Sequence, residues 1–492
     1  MNTILTILLI SNQIALASNL EVAKLMAAKN NYKGAAQEFL AASAEQNFIP
    51  GRYGLGISLL KLKLPYLASI PLMTAATEGT GRIQKKALDQ LIKISYDTND
   101  SSILNYSIKK LKPEDLEVTS MEVYETQLTE YHIEKGDFDE AIKSSNQILL
   151  KNPNNERALF LAGLANLKKN DPSKASEHFK RLSVLNEKKM ALSATQGLSQ
   201  ANYGRSLYQE KNFVAAEKVY RKIPKDHALY RKVQMELAWT LFRMGKIRSS
   251  LSVIQTLHTP YYENFYDPES FILRTIILLF ACQSNEALRA AEAFENNFIG
   301  VKDQLSNWVL SQPNVETTIK EIETAEKNKS KLAVRNFAKS KIPFFVVRTL
   351  MDEDPLRGLL KSKTEILSER QQFQRKFEDI TGLPLYQYSL RAYTARLKNA
   401  DKNIAIVFNK KIKITLQNFR DLEAQIDFLK FEILEEKKRA SKSNLKISKI
   451  IDENRIRSFY TQNGYRYWPF NGEYWVDEIG NYQYLGVNRC EN

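Results

Sequence analysis

Side chains that could do catalytic chemistry are sparse in this chain and badly placed for it. The four histidines, His132, His178, His227 and His258, include no pair at metal-ligand spacing on one helix, and the two cysteines, Cys282 and Cys490, form no zinc pair. Gly51, Gly54 and Gly56 cluster, but no strand precedes them and no phosphate-binding Lys-Ser/Thr follows, so they read as close helix packing. No serine nucleophile elbow occurs. Glu473 with Asp477 or Glu478, beside Trp468 and Trp475, is the one arrangement suited to glycan hydrolysis, where two carboxylates flank stacked sugar. Charged residues at the turn edges of a structural flap account for it more simply. No catalytic residue, cofactor or metal is expected.

The elements behind these residues are helices that recur. Gly136-Asp137-Phe138-Asp139-Glu140-Ala141-Ile142 is followed, thirty-four residues after Ala141, by Ala175, and Ala216 and Ser250 stand at the same interval. Two helices that cross closely need a small residue on the first and another twelve positions later on the second, then a large apolar residue four further on. Gly163, Ala175, Phe179 and Leu182 fit, as do Gly204, Ala216, Tyr220 and Ile223, then Ala238, Ser250, Ile254 and Leu257. Gly136, Asn170-Asp171-Pro172, Asn212 and Gly245 fall where the turns belong. A first unit keeps Ala141 and Ile148 but departs at Thr129 and Ser145. This pattern resembles the tetratricopeptide repeat family, whose helix–turn–helix units stack into a superhelix. The resemblance implies a scaffold that binds protein on its concave face.

The register extends backward to Ala35, Phe39 and Ala42, then Gly56, Ala68, Leu72 and Ala75, with Pro71 inside a predicted helix. It extends forward through Glu269–Cys282 and Ala287–Phe294. Between these arrays lies Thr259-Pro260-Tyr261-Tyr262-Glu263-Asn264-Phe265-Tyr266-Asp267-Pro268, an aromatic loop. Tyr261, Tyr262, Phe265 and Tyr266 are candidate partner-binding residues, unless the rings pack against the next helix.

Composition agrees with a folded helical chain. Of 492 residues 43% are hydrophobic, and only 18 are Gly and 14 Pro, which suits long helices. The net charge of +15 favours anionic partners. The bias to Lys over Arg argues against nucleic acid, whose base readout leans on Arg forks. Ile4 to Ala17 is an apolar run ending in Ala15-Leu16-Ala17, the form of a signal peptide with a mature start at Ser18, although no Lys or Arg precedes it. An ordinary buried first helix is the alternative. No transmembrane segment is expected in the mature chain, and a soluble periplasmic or otherwise exported protein follows. In such a compartment Cys282 and Cys490 are a candidate disulfide; in a reducing one Cys282 is a small buried hydrophobe.

Beyond Gln304 the repeat is lost. Lys327 to Lys341 is a Lys-rich helical stretch. Residues 359–380 and 404–440 read as two long helices, with Ile366, Phe373, Phe377 and Ile380 in one and Ile412, Phe419, Leu422, Ile426, Leu429 and Ile433 in the other at coiled-coil spacing. Leu390–Leu397 forms a helical stretch between them. A helical hairpin within one chain is expected, with a dimeric coiled coil as the alternative.

The tail carries ten aromatics between Phe459 and Tyr484, with turn signals at Asn463-Gly464, Asn471-Gly472 and Gly480-Asn481. It reads as short extended segments or hairpins, and Trp468 and Trp475 join the candidate partner-binding residues. Tyr467-Trp468-Pro469-Phe470-Asn471-Gly472-Glu473-Tyr474-Trp475-Val476-Asp477-Glu478, closing near Cys490, resembles the C-terminal signature of delta-proteobacterial periplasmic tetratricopeptide proteins, some of them gliding-motility components. That resemblance transfers no role in motility.

The expected division is a signal peptide at 1–17, degenerate helical repeats at 18–118, a tetratricopeptide array at 119–300, a long helical hairpin at 301–458 and an aromatic tail at 459–492. The fold class is all-α, a helical solenoid followed by a long hairpin and a short tail. The expected function is non-catalytic scaffolding in the bacterial cell envelope, with other envelope proteins as partners. The alternative is a binder of anionic cell-wall polymer or glycan through the Lys-rich helices and the tail. The tail is expected to fold back near Cys282.

Overall fold

The computed structural model describes residues 19–44, 48–98, 100, 103, 121–186, 194–263, 265–328, 340–442 and 476–484. Among these every regular element is helical and none is a strand. The expected signal peptide, Trp468, Trp475, Glu473, Cys490 and most of the Lys-rich stretch lie outside the described residues. No described helix is long and apolar enough to cross a membrane. The chain forms two compact units, Met1–Lys151 with Gly358–Asn403, and Asn152–Arg357 with Ile404–Asn492.

The first unit contains α1 (Asn19–Ala28), α2 (Tyr32–Ala42), α3 (Phe48–Lys61), α4 (Pro65–Glu78), α5 (Gly81–Thr98), α6 (Met121–Lys135) and α7 (Phe138–Lys151). Gly54 and Gly56 sit where neighbouring helices touch: a Cβ on Gly54 would strike the Phe39 ring, and one on Gly56 would strike Leu72. This is the packing role expected of the cluster. Pro65 opens α4, where a missing N–H costs nothing, and Pro71 lies inside it. Two further segments complete this unit: α19 (Leu356–Lys376) from Gly358, and residues 384–403 of α20 (Pro384–Lys442). Ile366 and Phe373 of α19, and Phe377 just after it, are buried in one core with Leu55, Leu67 and Leu91. Each such ring contributes about 1.5–3 kcal/mol. Phe373 lies 5.8 Å from the Tyr393 ring, and Lys363 pairs with Asp401 at 2.8 Å, so α19 and the start of α20 form a helical hairpin.

The second unit stacks the hairpins α8 (Glu156–Lys168) with α9 (Pro172–Asn186), α10 (Ala194–Gln209) with α11 (Phe213–Tyr220), α12 (Tyr230–Arg243) with α13 (Ile247–Leu257), and α14 (Pro268–Phe280) with α15 (Ser284–Asn297). Their small residues work as the spacing predicts. Gly163 leaves room for the Phe179 ring, whose nearest atom would lie 2.7 Å from an added Cβ, and Gly204 leaves room for Tyr220. Ser250 adds a bond to its close approach, donating its hydroxyl to the Ala238 carbonyl at 2.7 Å. Asn155 and Asn212 cap α8 and α11, accepting backbone N–H groups of Ala158 and Ala215 at 2.8 and 3.3 Å. Gly245, in the turn after α12, has φ +73.

The stack continues through α16 (Val301–Leu310), α17 (Val315–Lys327) and α18 (Phe344–Met351). Residues 404–442 of α20 pack along it. The helical stretch expected at Leu390–Leu397 and the long helix expected at 404–440 are one helix, because nothing between Leu397 and Ile404 breaks it: Lys398-Asn399-Ala400-Asp401-Lys402-Asn403 contains neither Gly nor Pro. Ile412, Phe419, Ile426 and Ile433, seven residues apart, are all buried. In this unit their partner is the helical stack. Phe419 stacks on Phe294 at 5.6 Å, the Trp308 indole N–H donates to Asn409 Oδ1 at 2.9 Å, and Lys302 and Lys430 pair with Glu423 and Glu295.

Candidate functional site

Helix α12, the first helix of its hairpin, has two apolar faces. On α12, Val233, Leu237 and Leu241 are buried, while Met235, Trp239 and Phe242 lie on another face and stay half-exposed. Residues at i, i+4 and i+7 share a helix face, so these three form one stripe. It joins a row of rings. Trp239 lies 6.2 Å from Phe242, and Phe242 lies 5.4 Å from Phe280 at the end of α14. Phe280 is 66% exposed. Tyr208 of α10 meets Phe213 edge-on at 5.2 Å, and the Arg243 guanidinium lies 5.6 Å from the Phe213 ring. Polar anchors fix this row: the Trp239 indole N–H donates to Glu269 at 2.9 Å, and Arg205 makes a forked pair with Glu236, at 2.6 Å for the shortest contact. Rings held in fixed rotamers with exposed edges bind apolar side chains without a large ordering cost.

The sequence reading did not single out this row. Its signal was available, in apolar residues on α12 in excess of what one buried face needs.

The candidate loop residues separate. Tyr261 is exposed, at 53%, whereas Tyr262 is buried. Phe265 lies between two guanidinium groups, with Arg231 at 4.4 Å and Arg348 at 4.5 Å from its centroid. Tyr266 is among Phe298, Phe345 and Phe419, and its backbone N–H donates to Thr349 at 3.0 Å. Of the four rings, only Tyr261 is left largely open to a partner.

A cleft of about 550 Å³ opens beside α12, α18 and α20. Its charges are satisfied within the unit. Glu353 bridges Lys232 at 3.1 Å and Lys411 at 2.8 Å, and Arg231 pairs with Asp267. Burial acts to raise the Glu353 pKa, but the two lysines outweigh it and hold the carboxyl below its usual range. A second cleft of about 490 Å³ contains His258. Ser270 Oγ donates to the Asp267 carbonyl, so His258 Nε2–H donates to Ser270 at 2.9 Å, and Arg274 donates to Nδ1 at 3.1 Å. Burial, reinforced by Arg274, pushes the imidazole pKa down to about 3. A neutral ring with both nitrogens engaged is structural, not a general base. Among the described residues no group of three or more His, Cys, Asp or Glu could hold a metal ion.

The described tail, Val476 to Tyr484, begins as a 3-10 turn and not as an extended strand. Ile479 is buried with Tyr230 and Tyr262, and the Tyr484 hydroxyl donates to Gln283 at 2.7 Å. The tail therefore folds back beside Cys282, as expected. Cys282 is disulfide-bonded, and Cys490 lies outside the described residues.

Residues 129–183 match the tetratricopeptide repeat family. Over that segment the chain resembles tetratricopeptide repeats. The match covers the unit with Gly163 opposite Phe179 and the imperfect unit before it. Similarity extends to the crystal structure of a tetratricopeptide repeat protein from Parabacteroides merdae ATCC 43184, at 18% identity over 56% of this chain and 91% of that one, with a TM-score of 0.26. It also extends to the P58(IPK) tetratricopeptide repeat domain, at 14% identity over 78% of this chain and 98% of that one, with a TM-score of 0.19. No curated protein matches the chain. Tetratricopeptide repeats are in general protein–protein interaction scaffolds, and protein partners are the ones this repeat suggests.

Proposed function

We propose that this chain is a non-catalytic scaffold in the bacterial cell envelope, and that it binds an apolar or aromatic segment of a partner protein along the ring row of α10, α12 and α14. The observation that carries the reading is the row itself. Trp239, Phe242 and Phe280 are held edge to face on first helices, and Phe280 is mostly in water. Exposed aromatics fixed by packing are the residues that dominate protein interfaces.

The export reading is supported by the apolar run Ile4–Ala17 with Ala15-Leu16-Ala17, and by a disulfide at Cys282, which suits an oxidising compartment. Cys490 is the proposed partner of Cys282. Cross-linking in envelope extract tests the scaffold reading. Defined proteins should be recovered in high salt from the native chain, and at least tenfold less from a Trp239→Ala, Phe280→Ala double variant. Recovery that collapses with salt and follows purified wall material would favour the polymer binder instead, because exposed charge contacts are screened.

A further inference from the structure

The tail occupies a groove that does not belong to the ring row. Its floor is α13, the second helix of a hairpin, with Tyr230 and Tyr262 at one side. Ser252 and Thr256 stand one turn apart on α13 and read the tail backbone: the Gly480 N–H donates to Thr256 Oγ1 at 3.2 Å, and the Tyr484 N–H donates to Ser252 Oγ at 2.8 Å. Side-chain selection is equally defined. Ile479 fills the space between Tyr230 and Tyr262. Gly480 has φ +83, and a Cβ there would run into the Tyr230 hydroxyl, so two separate constraints demand glycine. The Asn481 N–H closes the turn onto the Glu478 carbonyl at 2.9 Å. Tyr484 then reaches Gln283, the residue after Cys282.

We propose that this groove is a second peptide-recognition site, that its resident ligand is the chain's own Ile479-Gly480-Asn481-Tyr482-Gln483-Tyr484 strap, and that the disulfide at Cys282 keeps the ligand in place. This rests on the pairing of Cys282 with Cys490. Buried Ile479, Tyr484 packed on the core of α12–α15, and the hydrogen bonds to Thr256, Ser252 and Gln283 work against the entropy of ordering residues 476–484. A covalent tether beyond Tyr484 raises the local concentration of the strap. A dithiol reductant releases it: the reductant loses two electrons and two protons and becomes a disulfide, and Cys282 and Cys490 become thiols. The emptied groove then accepts the same sequence from another chain.

The test uses the full-length protein and a fluorescein-labelled peptide covering Val476 to Tyr484. Non-reducing peptide mapping comes first; two free thiols would refute the pairing and the lock with it, and leave the scaffold reading untouched. With the pairing established, the reduced protein should bind the peptide at least tenfold more tightly than the oxidised protein, and amide exchange across residues 476–484 should rise at least tenfold on reduction. A Gly480→Ala peptide should bind at least tenfold more weakly. The Cys490→Ser protein should behave as the reduced one. Equal exchange in both redox states, or no peptide uptake by reduced protein and by Cys490→Ser, would overturn the proposal.

Discussion

Glu369 caps α4 at Tyr66, the second residue of that helix, although 303 residues separate the two. Glu369 Oε2 accepts the Tyr66 backbone N–H at 2.9 Å, and Oε1 accepts that of Leu67 at 2.8 Å and the Tyr393 hydroxyl at 2.9 Å. Helix α4 has no side-chain cap of its own, because Leu64 stands at its N-cap. A carboxylate at a helix N-terminus satisfies orphan donors and meets the positive end of the dipole. Glu369→Ala leaves three buried donors without it and should lower stability by about 2–4 kcal/mol, read from the urea midpoint. Glu369→Gln, which keeps one acceptor, should lose less than half as much.

His258 sets an acid limit. Its folded pKa, about 3, lies below the ordinary 6.5. Between those values the unfolded chain takes up a proton that the folded chain refuses. The histidine's contribution to stability is therefore complete above about pH 6.5 and is lost as pH falls through 3, by about 5 kcal/mol in all. Urea midpoints measured from pH 7 to pH 4 should fall in the native protein and fall less steeply in His258→Gln. Parallel slopes would show that the ring is not desolvated.

Gly204 should tolerate no side chain. The Tyr220 ring is almost wholly buried and occupies the space of a Cβ. Gly204→Val forces the two helices apart and should cost about 2–3 kcal/mol, visible as a fall of the thermal midpoint. Gly358, with nothing within 4 Å of an added Cβ, is the control, and Gly358→Ala should be neutral or slightly stabilising.

Phe280 should separate binding from stability. Because it is 66% exposed, Phe280→Ser should change the urea midpoint by less than the equivalent of about 0.5 kcal/mol. Partner recovery in the cross-linking assay should still fall severalfold. Unchanged recovery would move the binding surface away from the ring row.

The repeat was readable because its rule is local. Gly163, Gly204 and Ala238 pair with Phe179, Tyr220 and Ser250 at fixed separations within hairpins, where a short turn dictates which residues meet. The heptad Ile412, Phe419, Ile426, Ile433 likewise announced one buried stripe. It could not name what covers that stripe, since any apolar surface would serve, and the stack supplies Phe294 and Trp308. The ring row was missed because Trp239 and Phe242 look in sequence like further core residues. Only the helix face they occupy leaves them half in water.

The helices, the repeat register and the turns follow from local sequence, for these depend on neighbours within a few dozen residues. So does the turn at Gly480, which needs a residue free to take a left-handed backbone. Tertiary structure decided the pairings between distant segments: Glu369 on Tyr66, Phe419 on Phe294, Tyr484 on Gln283. Such contacts rest on non-directional apolar burial and on single polar groups with many equivalent partners in the chain, so nothing in their spacing chooses among them until the surfaces are built.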